Sequence, residues 1–320
     1  MKSKLLSLLK KAGLAKLLRN RKGEQITILC LHRISYDHDF FFQPINPDLF
    51  ENLVAYCKQN YEVIVFSEIE KTTSKPKLIF SFDDGYYDFI EYALPILQKY
   101  NVRCNHNVVN SCLNNNHIIW TQKLNDVFNY LKDKNITEVA LFEDMDIVFE
   151  KNWLQYYIKV LNKLFTLDIS NRTKIIEDLL LTYSISPKYR MMNWDDLRHC
   201  HTQYQTEIGS HTFNHESLAL VSDLNVLDSE IKNSIYQIEK EIGTSVNILS
   251  LPNGQYNNQV IEYLKGLNIK FVLLVDDKIN LLSSLAGDFN LASRIYLIQE
   301  PIDEIILRTE MFHSKLRKFL

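Results

Sequence analysis

The sequence predicts an α/β fold: a distorted (β/α) barrel of seven or eight parallel strands with a mostly helical insertion. Three observations carry this. Apolar, β-prone runs alternate with helix-period segments along most of the chain, as parallel strands with crossover helices require. Several of those runs stop at Asp, His or Asn-Gly clusters, the pattern of strand ends that face a site. Between about residues 113 and 190 the alternation gives way to helical patterns alone. With 46% hydrophobic and 23% charged residues among 320, the chain can bury such a core and is not disordered.

Residues 1–23 form a basic amphipathic segment set apart from a domain spanning 24–320. They hold eight of the 36 basic residues and none of the 39 acidic ones, leaving 28 against 39 in the remainder. So acidic a body is a poor nucleic-acid binder, whereas the basic segment suits peripheral contact of residues 1–22 with an anionic membrane. Leu5, Leu8, Leu9 and Ala12 share one helical face; after Gly13, Leu14, Leu17 and Leu18 fall on another. Lysines interrupt the leucines too often for a signal peptide, and no run reaches transmembrane length. The expectation is a cytoplasmic protein, at the inner face of the membrane. Five cysteines without framework spacing read as reduced, buried thiols.

Residues 25–31 read as the first strand, ending at His32-Arg33. Asn46-Pro47 opens a helix to about residue 59, with proline at a favoured first position. A short strand over 61–66 precedes the central strand, Lys77-Leu78-Ile79-Phe80-Ser81-Phe82, which stops at Asp83-Asp84-Gly85. A helix over about 86–100 follows, kinked by Pro95, and then a strand over 102–109. In the insertion, 124–131, 153–165 and 173–183 are helix-like, while 138–142 and 146–149 have strand character. The alternation resumes with a helix at 194–200 and a strand over 205–208 that runs into Gly209-Ser210-His211-Thr212-Phe213-Asn214-His215. A long helix over 224–242 and a strand over 246–251 lead to Pro252-Asn253-Gly254. A helix over 258–267, strands over 271–275 and 291–297, and a helix over 302–312 complete the chain.

Two adjacent aspartates at a strand end disfavour double ionisation, and a cation resolves the conflict. One carboxylate then binds the metal while the other stays free as a base. His211 and His215, four residues apart beyond another strand end, can converge on one ion through imidazole nitrogens. With nine histidines in the chain a chance pair at that spacing is common, and the strand-end context is what sharpens the signal. Two imidazoles and one carboxylate leave a coordination position open for water, as catalytic divalent sites do.

Phe82-Asp83-Asp84-Gly85, Ser210-His211-Thr212-Phe213-Asn214-His215 and Pro252-Asn253-Gly254 together resemble the first three motifs of the NodB-homology polysaccharide deacetylases, carbohydrate esterase family four. Met192-Asn193-Trp194 and the strand ending in Leu31-His32-Arg33 add to the likeness. The resemblance implies hydrolysis of an acyl group, first of all the N-acetyl group of an amino sugar in surface-glycan biosynthesis or modification. It implies a divalent metal ion, with zinc the first choice, held by Asp84, His211 and His215. Asp83 is then the general base, the Asn253 backbone the oxyanion donor, and Ser210 and Thr212 the groups that orient the histidines. The family's arginine ahead of the third motif is absent, as is its late Leu-x-His; Arg294, in Ser293-Arg294-Ile295, matches an Arg-Ile of some members and replaces either that arginine or a substrate contact, and His32 is the alternative acid. The substrate implied is an N-acetylated sugar or glycan precursor, lipid-linked if the basic segment meets a membrane. A deformylase, an O-deacetylase and a catalytically inactive sugar-binding homologue remain open. Trp120 and Trp194 read as buried residues first and as platforms for a sugar ring second, and His106 and His117 have no partner at ligand spacing.

Overall fold

The computed structural model describes residues 13–20, 23–114 and 117–312. The strands in chain order are β1 (Gln25–Leu31), β2 (Glu62–Val63), β3 (Lys77–Phe82), β4 (Asn105–Val108), β5 (Glu207–Ser210), β6 (Ile248–Ser250), β7 (Phe271–Val275), β8 (Asn280–Leu281) and β9 (Asn290–Tyr296). Seven of them close a parallel barrel in the order β1-β3-β4-β5-β6-β7-β9 and back to β1. The remaining two are edges: β2 runs parallel to the start of β3, and β8 runs antiparallel to the start of β1.

Period-two alternation sorts each strand between the barrel interior and the helical shell. Leu29, Leu31, Leu78, Phe80 and Phe82 point outward into the shell, with Phe50, Leu53 and Leu97. Ile26, Ile28, Ile79, Ile248, Phe271, Leu273 and Ala292 cluster separately and fill the lower barrel. Continuing the same inward alternation towards the carboxyl ends gives Cys30, Ser81, Asn107, Ser250 and Arg294, all fully buried. The interior is thus apolar at one end and hydrogen-bonding at the other, and the polar end is where the motif residues emerge.

Local chemistry sets the helices. In the helix Pro47–Asn60, Asn46 caps the N-terminus by accepting from the Asp48 N–H, with proline in the first turn. Pro95 lacks an N–H, so the expected kink appears as a π-turn over Phe89–Ala93 that feeds the helix Leu94–Lys99. The helix Leu14–Asn20 lies on the barrel: Ala15 packs with Ile306 and Leu307, and Arg19 pairs with Glu310 at 3.1 Å. The more N-terminal amphipathic piece expected from the sequence lies outside the described residues.

Between β4 and β5 the chain builds helices α1 (Trp120–Lys134), α2 (Ala140–Glu143), α3 (Trp153–Phe165) and α4 (Ile169–Thr182). They enclose a core of their own, centred on Phe128, Phe142, Tyr156, Val160 and Leu179. The two short strands expected near 138–142 and 146–149 are absent. Residues 140–143 form a helical turn that brings Phe142 onto Phe128, with ring centroids 5.5 Å apart.

His106 shows what burial does to a histidine that has no charged partner in contact. It is fully buried beside Phe89, with ring centroids 4.3 Å apart. Burial pulls its pKa from the ordinary 6.5 down to about 4, against the weaker pull of Asp83. The unfolded chain therefore takes up the proton first. Stability should fall as the pH drops below about 6.5 and level off below about 4, a loss of about 3 kcal/mol. Urea titrations between pH 7 and 4 should show this slope, and His106→Leu should make it shallower, leaving the part that His215 and His32 contribute with the same sign.

Candidate metal centre and active site

Each strand end delivers one group to the carboxyl face. β1 is followed by His32, β3 by Asp83 and Asp84, β5 by His211, and β6 by the Pro252–Gly254 turn, while β9 supplies Arg294 and Tyr296 from within. Asp84 holds φ at 77°, and Thr212, His215 and Asn253 hold φ at 65°, 61° and 56°. Left-handed backbone at non-glycine residues costs about 1 kcal/mol or more each, and such strain gathers at functional loops. Gly254, at φ 64°, is required as glycine, because a Cβ there would lie 2.8 Å from the Val275 nitrogen.

The two aspartates face different partners. Asp83 turns into the polar end of the barrel, where Arg294 grips it with both arms of the guanidinium, Nη1 to Oδ1 at 2.8 Å and Nη2 to Oδ2 at 2.7 Å. Asn107 donates to the same Oδ1 at 2.8 Å, and Ser250 Oγ to Oδ2 at 3.0 Å. Burial alone would raise the Asp83 pKa, but Arg294, His211 and these bonds outweigh it and hold the carboxyl well below the usual carboxylate range. The arginine missing ahead of the third motif is matched in space by one from β9.

Asp84 turns the other way. Its Oδ1 is buried without a hydrogen-bond partner and lies 3.3 Å from His211 Nε2 and 3.6 Å from His215 Nε2. The ligating atoms of all three residues fall within 4.8 Å of one another. Donors about 2 Å from a tetrahedral ion sit roughly 3.3 Å apart, close to the spacing of Asp84 Oδ1 from each imidazole, so this trio could hold a divalent cation. His211 Nδ1 bonds the Ser250 carbonyl at 2.9 Å, which leaves its Nε2 turned to Asp84. Burial lowers the His211 pKa, but Asp83 and Asp84 reverse this and raise it; a cation would take the proton's place. Burial and then repulsion by His211 push His215 down to about 3, so its lone pair is free to ligate.

A cavity of about 350 Å³ opens over this centre, lined among others by His32, Phe42, Asn253 and Tyr296. His32 Nε2 lies 4.0 Å from Asp83 Oδ2, its ring wedged edge-on between Phe42 and Tyr296. Burial lowers its pKa against the pull of Asp84 and Asp83. Asn253 is exposed at the cavity rim. Neither Trp120 nor Trp194 lines the cavity, and His117 is exposed away from it.

Ser210 does not orient the histidine rings as expected. Its hydroxyl bonds Ser234 at 2.6 Å and accepts the Thr212 N–H at 3.2 Å, so it fixes the backbone between the two histidines. Residues that sequence reasoning did not single out include Asn107, Ser250 and Gly209. A Cβ at Gly209 would lie 2.1 Å from Asn107 Oδ1, so this glycine leaves room for the amide that holds Asp83. The available signal was two asparagines, Asn105 and Asn107, in an otherwise buried strand, since buried polar residues are the informative exceptions.

Fold and site define a class: a seven-stranded (β/α) barrel whose carboxyl face carries three residues that could hold a cation beside a second, arginine-bound carboxylate. The chain belongs to the polysaccharide deacetylase family, whose match spans residues 70–272. None of the curated proteins matches the sequence. Among solved structures, the Streptococcus pyogenes deacetylase PplD in complex with acetate is 18% identical, with TM-score 0.59, over 89% of this chain and 98% of that one. IcaB from Ammonifex degensii is 12% identical, with TM-score 0.60, over 90% and 98%. A de-N-acetylase from Aggregatibacter actinomycetemcomitans is 18% identical, with TM-score 0.54, over 92% and 100%. At these identities the likeness establishes the fold.

Proposed function

We infer that the protein is a metal-dependent hydrolase that removes the N-acetyl group from an amino sugar of a glycan or glycan precursor. The observation that carries this is the convergence of Asp84, His211 and His215 beside Asp83 under a cavity at the carboxyl face of a deacetylase-family barrel. A solved neighbour described as a de-N-acetylase and another in complex with acetate support the acyl group chosen. A divalent cation on the three ligands, zinc before others for this donor set, would supply Lewis acidity to the attacking water and the acyl carbonyl.

The chain's own groups do the rest. Asp83, kept anionic by Arg294, accepts a proton from the water as it attacks the acyl carbon. The Asn253 backbone N–H steadies the oxyanion that forms. His32, 4.0 Å from Asp83, takes up the proton that Asp83 received and delivers it to the departing amine as the C–N bond breaks, so acetate and a free amino sugar leave. Phe42 and Tyr296 offer flat apolar walls to a sugar ring. Among the described residues no helix is long and apolar enough to cross a membrane. The eight basic residues of 1–23 favour a lipid-linked precursor met at the inner face of the membrane.

Release of acetate from N-acetylated amino sugars, followed with and without chelator, tests this. Chelation and His211→Ala should each lower the rate by about 10³-fold or more, with zinc restoring only the wild type. Acetate release that survives both would overturn the assignment. Formate as product, or preference for an ester, would move it to a deformylase or an O-deacetylase, and tight glycan binding without turnover to an inactive relative.

A further inference from the structure

The two histidines of the cation seat are supported unequally. His211 is fixed through its own ring, since Nδ1 is bonded to the Ser250 carbonyl at 2.9 Å. His215 has no such anchor; its Nδ1 is buried without a hydrogen-bond partner. Its backbone is also strained, at φ 61°. An imidazole whose second nitrogen is free must take its orientation from the backbone that carries it, and something must hold that backbone in the left-handed region.

The holding groups come from the insertion. Trp120, the first residue of α1, donates its indole N–H to the His215 carbonyl at 3.4 Å. Arg172, in α4, is 1% exposed, and its guanidinium meets both carboxylate oxygens of Glu216, the residue that follows His215, with Nη1 to Oε2 at 3.1 Å. The same guanidinium lies over the Trp120 ring, 4.5 Å from its centroid. Arg172 thus holds Glu216 and Trp120 together, and each grips one side of His215. Such a pair would be costly to bury without a purpose, because an arginine and a glutamate both leave water. Helix α1, which carries Trp120, also furnishes Thr121 and Asn125 to the cavity wall, and α3 of the same insertion furnishes Tyr157 and Leu161.

We propose that Trp120 and Arg172 are positioning residues for His215, so that the insertion sets the affinity of the cation seat. The proposal rests on the reading of Asp84, His211 and His215 as ligands. Neither residue touches the reacting atoms; both act through the backbone of one ligand. The insertion is then part of the metal centre rather than an appendage on the barrel.

Titration of the full chain with Co²⁺, read by the visible absorption of the bound ion and by competition with a chromophoric chelator, tests this directly. Trp120→Phe removes the indole N–H and keeps a ring under Arg172, so it should fold. It should weaken Co²⁺ binding by about 10-fold and alter the absorption band. Arg172→Met should weaken binding further, by up to about 100-fold, and Arg172→Lys should restore only part of it, since a point charge cannot reproduce the two-armed contact. A variant with no binding defect and an unchanged band, in the Trp120→Phe protein above all, would overturn the proposal. Wild-type protein that takes up no Co²⁺, or His211→Ala protein that binds it as tightly as wild type, would overturn the ligand reading itself. That outcome differs from a failure of the clamp alone, in which wild type and both positioning variants bind alike and His211→Ala does not.

Discussion

Replacing Asp83 by Asn should lower kcat for acetate release by about 10³-fold while leaving cation affinity within a few-fold of wild type. The reason is the division of labour between two neighbouring carboxylates. Asp84 Oδ1 lies between the two imidazoles, whereas both oxygens of Asp83 are engaged by Arg294, Asn107 and Ser250. An amide at 83 keeps an acceptor for the arginine but cannot accept the proton of an attacking water. Asp84→Asn should behave in the opposite sense, losing cation first and activity with it, because an amide oxygen is a weaker ligand than a carboxylate oxygen. Parallel measurement of Co²⁺ uptake and kcat on the two variants separates the roles. If Asp83→Asn loses the cation and Asp84→Asn keeps it, the roles are reversed; if Asp83→Asn turns over normally, Asp83 is no base.

The motif residues were legible because each sits where an apolar run breaks off, and a strand end is readable from local pattern alone. Asp83-Asp84-Gly85, His211, His215 and the Pro252–Gly254 turn all belong to this class. Arg294 was legible only through the family resemblance, and its partner is named by the barrel's closure, which sets β9 beside β1 and across from Asp83. Asn107 was legible only as a polar residue in a buried strand and Ser250 gave no local signal, because their meaning comes from strands far apart in sequence meeting at the same height in the barrel. The short runs near 138–142 and 146–149 misled for a related reason. Their β-branched and aromatic residues suit a strand, but there is no neighbouring strand to pair with, and Phe142 and Ile147 are taken up by the insertion's own core instead. The clamp on His215 was hidden twice over: Trp120 reads as an ordinary core aromatic, and Arg172 lies just ahead of the helix-like stretch 173–183, where nothing local singles it out.

Removing Arg294 should be the most destabilising single change at the polar end of the barrel. Arg294→Met leaves Asp83, 1% exposed, as a buried anion without a counter-ion, and breaking such a pair from one side costs about 3–5 kcal/mol. Lysine should recover little, because one ammonium cannot span both oxygens of Asp83 together with the hydroxyls of Ser81 and Ser250, which the guanidinium meets at 3.1 and 2.8 Å. The sign of the pH dependence follows from the depressed Asp83 pKa. A carboxylate with a lowered folded pKa contributes stability that is present above its unfolded value of about 3.9 and is lost only as pH falls towards the folded one. In Arg294→Met burial raises the pKa of the stranded Asp83, which takes up a proton as the pH falls, so the wild-type advantage should shrink from pH 8 towards pH 5 in urea titrations. The double variant Arg294→Met, Asp83→Leu removes both charges and should regain much of the loss in stability while remaining inactive. If Arg294→Met unfolded at the wild-type urea concentration, the pair would not be a buried one. If the double variant were no more stable than Arg294→Met alone, the cost would lie in lost packing around the arginine rather than in the stranded carboxylate.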